Sequence, residues 1–375
     1  MNMRLLLGTA VIALGLSSCG GSSLDQSGQN PQPGVSSSPS TPPIWSFTGL
    51  PGPANAQEMP VLMVKMENDP VVRPQTGLDS ADLVFEELVE GGMTRFATVF
   101  QSNIPKAIGP VRSIRHVDAA LAAPIADAFV FSGGAHKTWT FVNQKMPSNV
   151  SIITEGGIGV SRNPKHVAPH DVWLNPRKLL DSLANDNSPC SGFFATAQNA
   201  QIAPIPSPSP LSTDATAVPS ATPTVDASPT IMSTQPVAIR RVSIHFSSWE
   251  NPVWTWSDAN LQWMRAEHTT PFTTPEGKQI GFTNLVIIFV KTISAGYHDP
   301  IGNYVPRSVL TGTGPGYLLV NGTRQPIFWH KDHVKDHLTL MDVSGQLITA
   351  PEGNTWVSLV PVDGGTVKFT KAPAQ

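Results

Sequence analysis

"EELVEGGMTRFATVF", Glu86 to Phe100, is the stretch whose reading sets the fold of the first half of the chain. Two apolar runs flank a double glycine. Gly91-Gly92 supplies the positive φ that a tight turn needs, so DLVFEELVE (82–90) and TRFATVF (94–100) are expected to pair as an antiparallel hairpin. Strand side chains alternate, which puts Leu83, Phe85, Glu87 and Val89 on one face and Val84, Glu86, Leu88 and Glu90 on the other. Glu87 is thereby split from Glu86 and Glu90. Arg95 shares a face with Ala97 and Val99, and the count across the turn lets Glu90 and Arg95 approach each other. Two readings stay open. Glu86 and Glu90 are a candidate acid/base pair if burial moves their pKa values apart. Or they form a structural Glu–Arg pair that fixes register.

Around the hairpin the pattern alternates. VLMVKMEN (61–68) reads as a strand, and VRSIRHVDAALAAPIADA (111–128) as a helix with Pro110 at its start and Pro124 as a kink. AFVFSGG (128–134) reads as a buried strand ending in glycine. AHKTWTFVNQ (135–144) reads as a helix, and 166–186 closes with a second helical stretch. This rhythm predicts an α/β module with an attached hairpin. Residues 242–362 instead hold short apolar or alternating runs divided by Gly, Asn, Asp and Pro, which predict a mainly β module of about six to eight strands. The expected class is α+β. Trp249, Trp254, Trp256, Trp263, Trp329 and Trp356 are read mostly as core, with a ligand platform as the alternative.

The ends and joints are compositional. MNMRLLLGTAVIALGLSSC has one early charge, Arg4, and an apolar run, Leu5 to Leu16, shorter than the roughly 20 residues that span a bilayer. It is expected to be a signal peptide, residues 1–18. Ser17-Ser18-Cys19 resembles a bacterial lipobox, so Cys19 is the expected lipidated N-terminus, tethered by 19–43 to the outer face of the cytoplasmic membrane. Cys190 then has no cysteine partner, which argues against a disulfide. A Ser/Thr/Pro/Ala run, 201–236, carries no Lys, Arg or aromatic residue and reads as a linker between modules at 44–200 and 237–375. Net charge is -3, and -4 once the segment with Arg4 is removed. Such a chain lacks the basic footprint of a nucleic-acid binder.

Three further motifs bear on chemistry. In GPVRSIRH (109–116), a helix opening at Gly109-Pro110 would present N–H groups to an anion, with Arg112 and Arg115 on one face. The alternative is that these arginines neutralise Glu86, Glu87 and Glu90. In FSGGAHK (131–137), Ser132, Gly133, Gly134 and His136 put small residues where a ligand approaches backbone. The spacing matches no phosphate-loop or dinucleotide fingerprint, and close packing explains it equally well. His330, His333 and His337, with Asp332 and Asp336, share a face if helical, but a solvated loop is the preferred reading and no metal or cofactor is expected.

The order RPQTGLDSADLVFEELVEGGMTRFATVFQSN (73–103), IGPVRSIR (108–115), FSGG (131–134), APHDVW (168–173), then GTGPGYLLVNG (312–322), DVSGQ (342–346) and GNTWVSLVPV (353–362), resembles the YerB-like bacterial lipoproteins, a family of unknown function. The resemblance covers nearly all of 44–370 apart from the Pro-rich insert. It implies a two-part α+β envelope lipoprotein and no particular reaction. The insert suggests looser coupling between the halves. The expectation is then a protein that binds a cell-envelope partner or anionic ligand through Arg95, Arg112 and Arg115, near Ser132, Gly133, Gly134 and His136. The alternative is an envelope hydrolase or transferase on a cell-wall or phosphate-bearing substrate, with Glu86 or Glu90 as base and His136 or His170 as proton partner. A third reading is a scaffold whose β module docks another envelope protein.

Overall fold

The computed structural model describes residues 42–183, 192–194, 236–349 and 351–371. The signal segment, Cys19 and most of its tether, Cys190 and the Ser/Thr/Pro run up to residue 235 lie outside the described residues.

Strands in chain order are β1 (Leu62–Glu67), β2 (Leu83–Leu88), β3 (Thr94–Phe100), β4 (Ala128–Val130), β5 (Ser151–Ile153), β6 (Val160–Arg162) and β7 (Val172–Leu174). There follow β8 (Val237–His245), β9 (Pro252–Ser257), β10 (Gln262–Glu267), β11 (Thr270–Pro271), β12 (Gly281–Phe282) and β13 (Asn284–His298). The last are β14 (Tyr304–Val309), β15 (Gly312–Val320), β16 (Thr323–Lys331), β17 (Thr339–Met341), β18 (Thr355–Pro361) and β19 (Thr366–Lys371). The helices are short: α1 (Asp118–Ala122), α2 (His136–Lys145) and α3 (Pro176–Leu183). The described chain is mainly β, and its second segment holds more strands than the sequence suggests, because two long runs break into hairpins.

The central sheet runs β5–β4–β1–β3–β2–β18–β13–β15–β16. It is mixed: β5, β4 and β1 are mutually parallel, as are β2, β18 and β13. A second sheet, β19–β8–β9–β10, joins the first where β8 also pairs with β16. The expectation of loosely coupled halves does not hold. Thr355–Leu359 of β18 pair with Leu83–Glu87 of β2, so late residues of the chain are inserted beside the early hairpin.

Alternation along the strands creates two cores. Met63, Leu83, Phe85, Ala97 and Val99 pack with α1, Phe129 and Val357 on one face. Leu62, Val64, Val84 and Phe96 face the second sheet, whose Trp254 and Trp263 are buried in the same core as Trp356 of β18. Trp356 meets Trp254 at 5.1 Å and Phe96 at 5.0 Å, edge to face. Such contacts add about 0.5–1.5 kcal/mol beyond burial of area. Five of the six tryptophans named above are core; Trp249 is exposed.

One local expectation fails. Residues 111–117 are not helical, and α1 spans only 5 residues. The cause is tertiary: Arg112 N–H donates to Lys65 O at 2.8 Å and Glu67 N–H to Pro110 O at 3.1 Å, so this segment extends along β1. Residues 332–337 form bends and turns after β16, with Asp332, His333 and Lys335 exposed, in keeping with the expected loop, and the three histidines share no helical face. Lys331 is buried over the Phe193 ring, with its Nζ donating to Asp336 O.

Candidate functional site

In open sheets, ligands settle beyond the carboxyl ends of parallel strands, where neighbouring connections part. Here β1 ends at Glu67, and its parallel neighbour β4 runs into Phe131-Ser132-Gly133. The extended 109–114 segment enters between them. Ser132 N–H donates to Arg112 O at 3.0 Å, and Ile114 N–H to Gly133 O at 2.9 Å. Glu67, Arg112, Ser132 and Gly133 are thus assembled by backbone hydrogen bonds from three separate stretches.

The fourth element of the crevice is the loop between β6 and β7, which carries His170. Asn163 N–H donates to Asp171 O at 2.7 Å, and His170 N–H to Val167 O at 2.9 Å. Arg162 Nη1 reaches both Asp171 carboxylate oxygens, at 2.8 and 2.7 Å, and its Nε reaches Glu155 at 2.7 Å. The Arg162 hydrogen bonds hold the Asp171 carboxyl below its usual range.

These supports set the centre of the crevice. Glu67 Oε1 accepts from Arg112 Nε at 2.8 Å, and Glu67 Oε2 lies 2.8 Å from His170 Nδ1. The Glu67 side chain is only 5% exposed, whereas Arg112 and His170 are 20% and 26% exposed. The carboxylate is therefore covered by two bases that reach solvent. Arg112 Nη1 makes one long contact, 3.3 Å to Pro169 O. Arg112 Nη2, His170 Nε2 and the half-buried Ser132 hydroxyl have no partner among the described residues. Gly133 sits at φ +153° with open space where a Cβ would stand. A Cβ on Gly134 would lie 2.7 Å from the Ile114 side chain, so that glycine serves packing.

The other predicted residues are placed elsewhere. No helix starts at Gly109-Pro110, so the expected helix N-terminal anion site is absent from this segment. Extended backbone also sends Arg112 and Arg115 to different carboxylates. Arg115 Nε donates to Glu90 Oε2 at 2.8 Å, with Nη2 on Oε1. Arg95 Nη2 donates to the same Oε1 at 3.1 Å, and its Nη1 to Ser113 O at 3.0 Å. Burial lowers the Arg115 pKa and pushes that of Arg95 down to about 10. The expected Glu90–Arg95 approach is present, but it occupies two arginines expected to anchor a ligand.

Glu86 and Glu90 do not form an acid/base pair. Glu86 accepts from Arg265 Nη1 and Nη2 at 2.8 and 2.9 Å, from Thr94 Oγ1 at 3.0 Å and from Trp356 Nε1 at 3.1 Å. Glu90 leaves that face because the chain turns at Glu90–Gly92. Glu87 faces the other core, where Lys65 Nζ bridges it to Asp118. His136 stands exposed at the start of α2, and the His166 ring packs 5.2 Å from Trp173. Sequence reasoning missed Glu67, although one signal was present: Lys65 and Glu67 interrupt an apolar strand at a spacing of two, which marks charged groups on one buried face.

Comparison with known proteins gives a consistent result. Residues 47–189 match the N-terminal domain model, and 242–357 the C-terminal domain model, of "Protein of unknown function (DUF3048)". An 87-residue stretch is 42% identical to a Bacillus subtilis (strain 168) protein named "Putative lipoprotein YerB", covering 23% of this chain and 26% of that relative. The crystal structure of YerB from Bacillus subtilis is similar in fold, with a TM-score of 0.64 and 19% identity, over 87% of this chain and 99% of that one.

Proposed function

The chain belongs to the DUF3048 family of YerB-like proteins, and from that membership we propose a lipid-anchored envelope protein that binds an anionic ligand in the Glu67–Arg112–His170 crevice. Support for the anchor is the lipobox-like Ser17-Ser18-Cys19 and the name of the relative. Lipid on Cys19 would hold the protein on the outer face of the cytoplasmic membrane. No helix among the described residues is long and apolar enough to cross a membrane. Residues 44–200 and 237–375 are read as the two domains. The ligand-bearing part is the first, taken as an α/β module.

One observation carries the ligand reading. Arg112 and His170 hold the same buried carboxylate, yet each keeps a side-chain nitrogen with no partner among the described residues. Glu67 fixes both side chains. Selectivity then comes from the fixed geometry of the Arg112 guanidinium and the His170 imidazole beside Ser132 and Gly133, which suits a carboxylate or phosphate oxygen. The test is a thermal-shift titration of the full chain in detergent micelles with inorganic phosphate and with a nucleotide-linked cell-wall precursor. Stabilisation of wild type, weakened about tenfold or more by Arg112→Ala, is expected. No stabilisation by either compound overturns the proposal.

A second reading rests on His170 alone. An imidazole whose Nδ1 is fixed by a carboxylate, with Nε2 facing solvent, is arranged as a general base. The crevice would then act on a cell-wall or phosphate-bearing substrate. His170→Asn should abolish turnover while keeping binding; unchanged turnover excludes this reading.

A further inference from the structure

The face of the central sheet that packs on α1 carries a charged cluster that the crevice does not use. Strand alternation puts Lys65 of β1 on this face with Met63, and Glu87 of β2 with Phe85. β3 runs between the two strands, and Ala97 stands opposite both Lys65 and Phe85. Its small side chain lets the lysine cross to β2, where Lys65 Nζ donates to Glu87 Oε1. The same nitrogen donates to Oδ1 of Asp118, the first residue of α1, at 2.7 Å. The second oxygen, Asp118 Oδ2, accepts from the Arg115 backbone N–H at 2.6 Å. Side-chain exposure is 0% for Lys65 and Asp118 and 2% for Glu87.

An amine, a carboxyl it touches and a second carboxyl on the same nitrogen are thus sealed together in an apolar core. As ions they carry a desolvation penalty that pairing offsets only in part. Burial holds the Glu87 carboxyl protonated up to about 7. Covalent closure removes the penalty at its source. An amide between Lys65 and Asp118 replaces an ammonium and a carboxylate by one neutral group. Its C=O keeps the Arg115 N–H as donor, and its N–H keeps Glu87 as acceptor. The reacting atoms are close. A C–O bond is about 1.2 Å long, so Asp118 Cγ lies within about 4 Å of Lys65 Nζ. Attack takes place from about 3–3.5 Å.

We propose that Lys65 and Asp118 join in an intramolecular isopeptide bond, with Glu87 as the proton carrier. Lys65 first passes a proton from its ammonium to Asp118 Oδ1, which leaves a free amine beside a carboxylic acid. The Nζ lone pair attacks Cγ and the Nζ–Cγ bond forms. The carbonyl electron pair moves onto Oδ2, where the Arg115 N–H stabilises the charge. Protonated Glu87 gives its proton to Oδ1 and takes one back from Nζ. The Cγ–Oδ1 bond breaks, the C=O re-forms at Oδ2, and one water leaves. Both protons of that water come from the Lys65 ammonium overall, and no oxidant or reductant enters. The bond closes a loop across a separation of 53 residues and so restricts the unfolded chain as a disulfide does. It also ties β1 to the segment that carries Arg112, whose backbone N–H donates to Lys65 O. The proposal does not depend on a ligand in the crevice.

The experiment is peptide mapping of the full chain, denatured, digested and read by tandem mass spectrometry. Most of the Lys65 is expected in a branched peptide joined to Asp118 and lighter by one water than its two parts. Recovery of Lys65 only in linear peptides overturns the proposal. This measurement uses wild type alone and so does not depend on a variant folding. Glu87→Gln, with a native circular-dichroism spectrum, then tests the carrier. Positioned proton transfer contributes about 10²–10⁴-fold in rate, so the linked fraction at a fixed time after synthesis should fall roughly tenfold or more. An unchanged linked fraction in the folded variant overturns the role given to Glu87.

Discussion

Glu87 and Glu250 show what burial does to single carboxyls in this chain. Desolvation raises Glu87 from 4.5 to about 7, although Lys65 opposes the shift. Desolvation likewise raises Glu250 from 4.5 to about 8 against the pull of Arg73. In the unfolded chain both ionise near 4.5. Between that value and about 7 to 8, the folded state holds protons that the unfolded state has released. Stability from these groups is fully present below 4.5 and is lost as pH rises through 7 and 8. Glu87→Gln removes one titration and keeps the shape. Its stability relative to wild type should therefore increase between about pH 5 and pH 8, by on the order of 2 kcal/mol. Urea unfolding at the two pH values measures this, and a difference independent of pH would refute the assignment.

The β2–β3 hairpin was legible because its signals are local. Alternation split Glu86 from Glu87, and the double glycine marked the turn, where Gly91 and Gly92 take φ of +69° and +76°. The two positions should respond differently to alanine. Both incur the left-handed cost of about 1–2 kcal/mol. At Gly91 a Cβ has its nearest neighbour, Asn303 Nδ2, at 3.6 Å, whereas at Gly92 it meets Ser247 and Trp249 at 3.2 Å. Gly92→Ala should therefore lower stability more than Gly91→Ala, by about 1 kcal/mol, consistent with an added packing strain. Equal midpoints in thermal unfolding would argue against that packing. The 111–117 segment was illegible for the opposite reason. Its residues have helical spacing, but the competing partner, the backbone of β1, is distant in sequence. The same holds for the crevice. Arg112 and Ser132 stood out by type, but only folding brings Glu67 to His170, 103 residues away.

At the scale of the molecule, the sheet order means that neither half can complete its core alone. β18 is flanked by β2 and β13, so the last part of the chain closes the gap between early and late strands. Charged groups cross the same boundary. Arg73 binds Glu250, Ser247 Oγ donates to Gly92 O, and Arg265 of β10 binds Glu86 of β2 with both side chains fully buried. The Arg265 guanidinium also lies 4.7 Å from the Trp356 ring centroid and 4.8 Å from that of Phe272. Removing one partner of such a pair leaves an uncompensated charge in the interior, a loss of about 3–5 kcal/mol. Arg265→Met should therefore destabilise the chain by that amount. Because the pair ties the two segments together across the core between the sheets, calorimetry should show one transition, displaced to lower temperature, in the variant as in wild type. Two separated transitions in either protein would mean that the segments 44–200 and 237–375 unfold independently. The shared sheet would then contribute little to cooperativity.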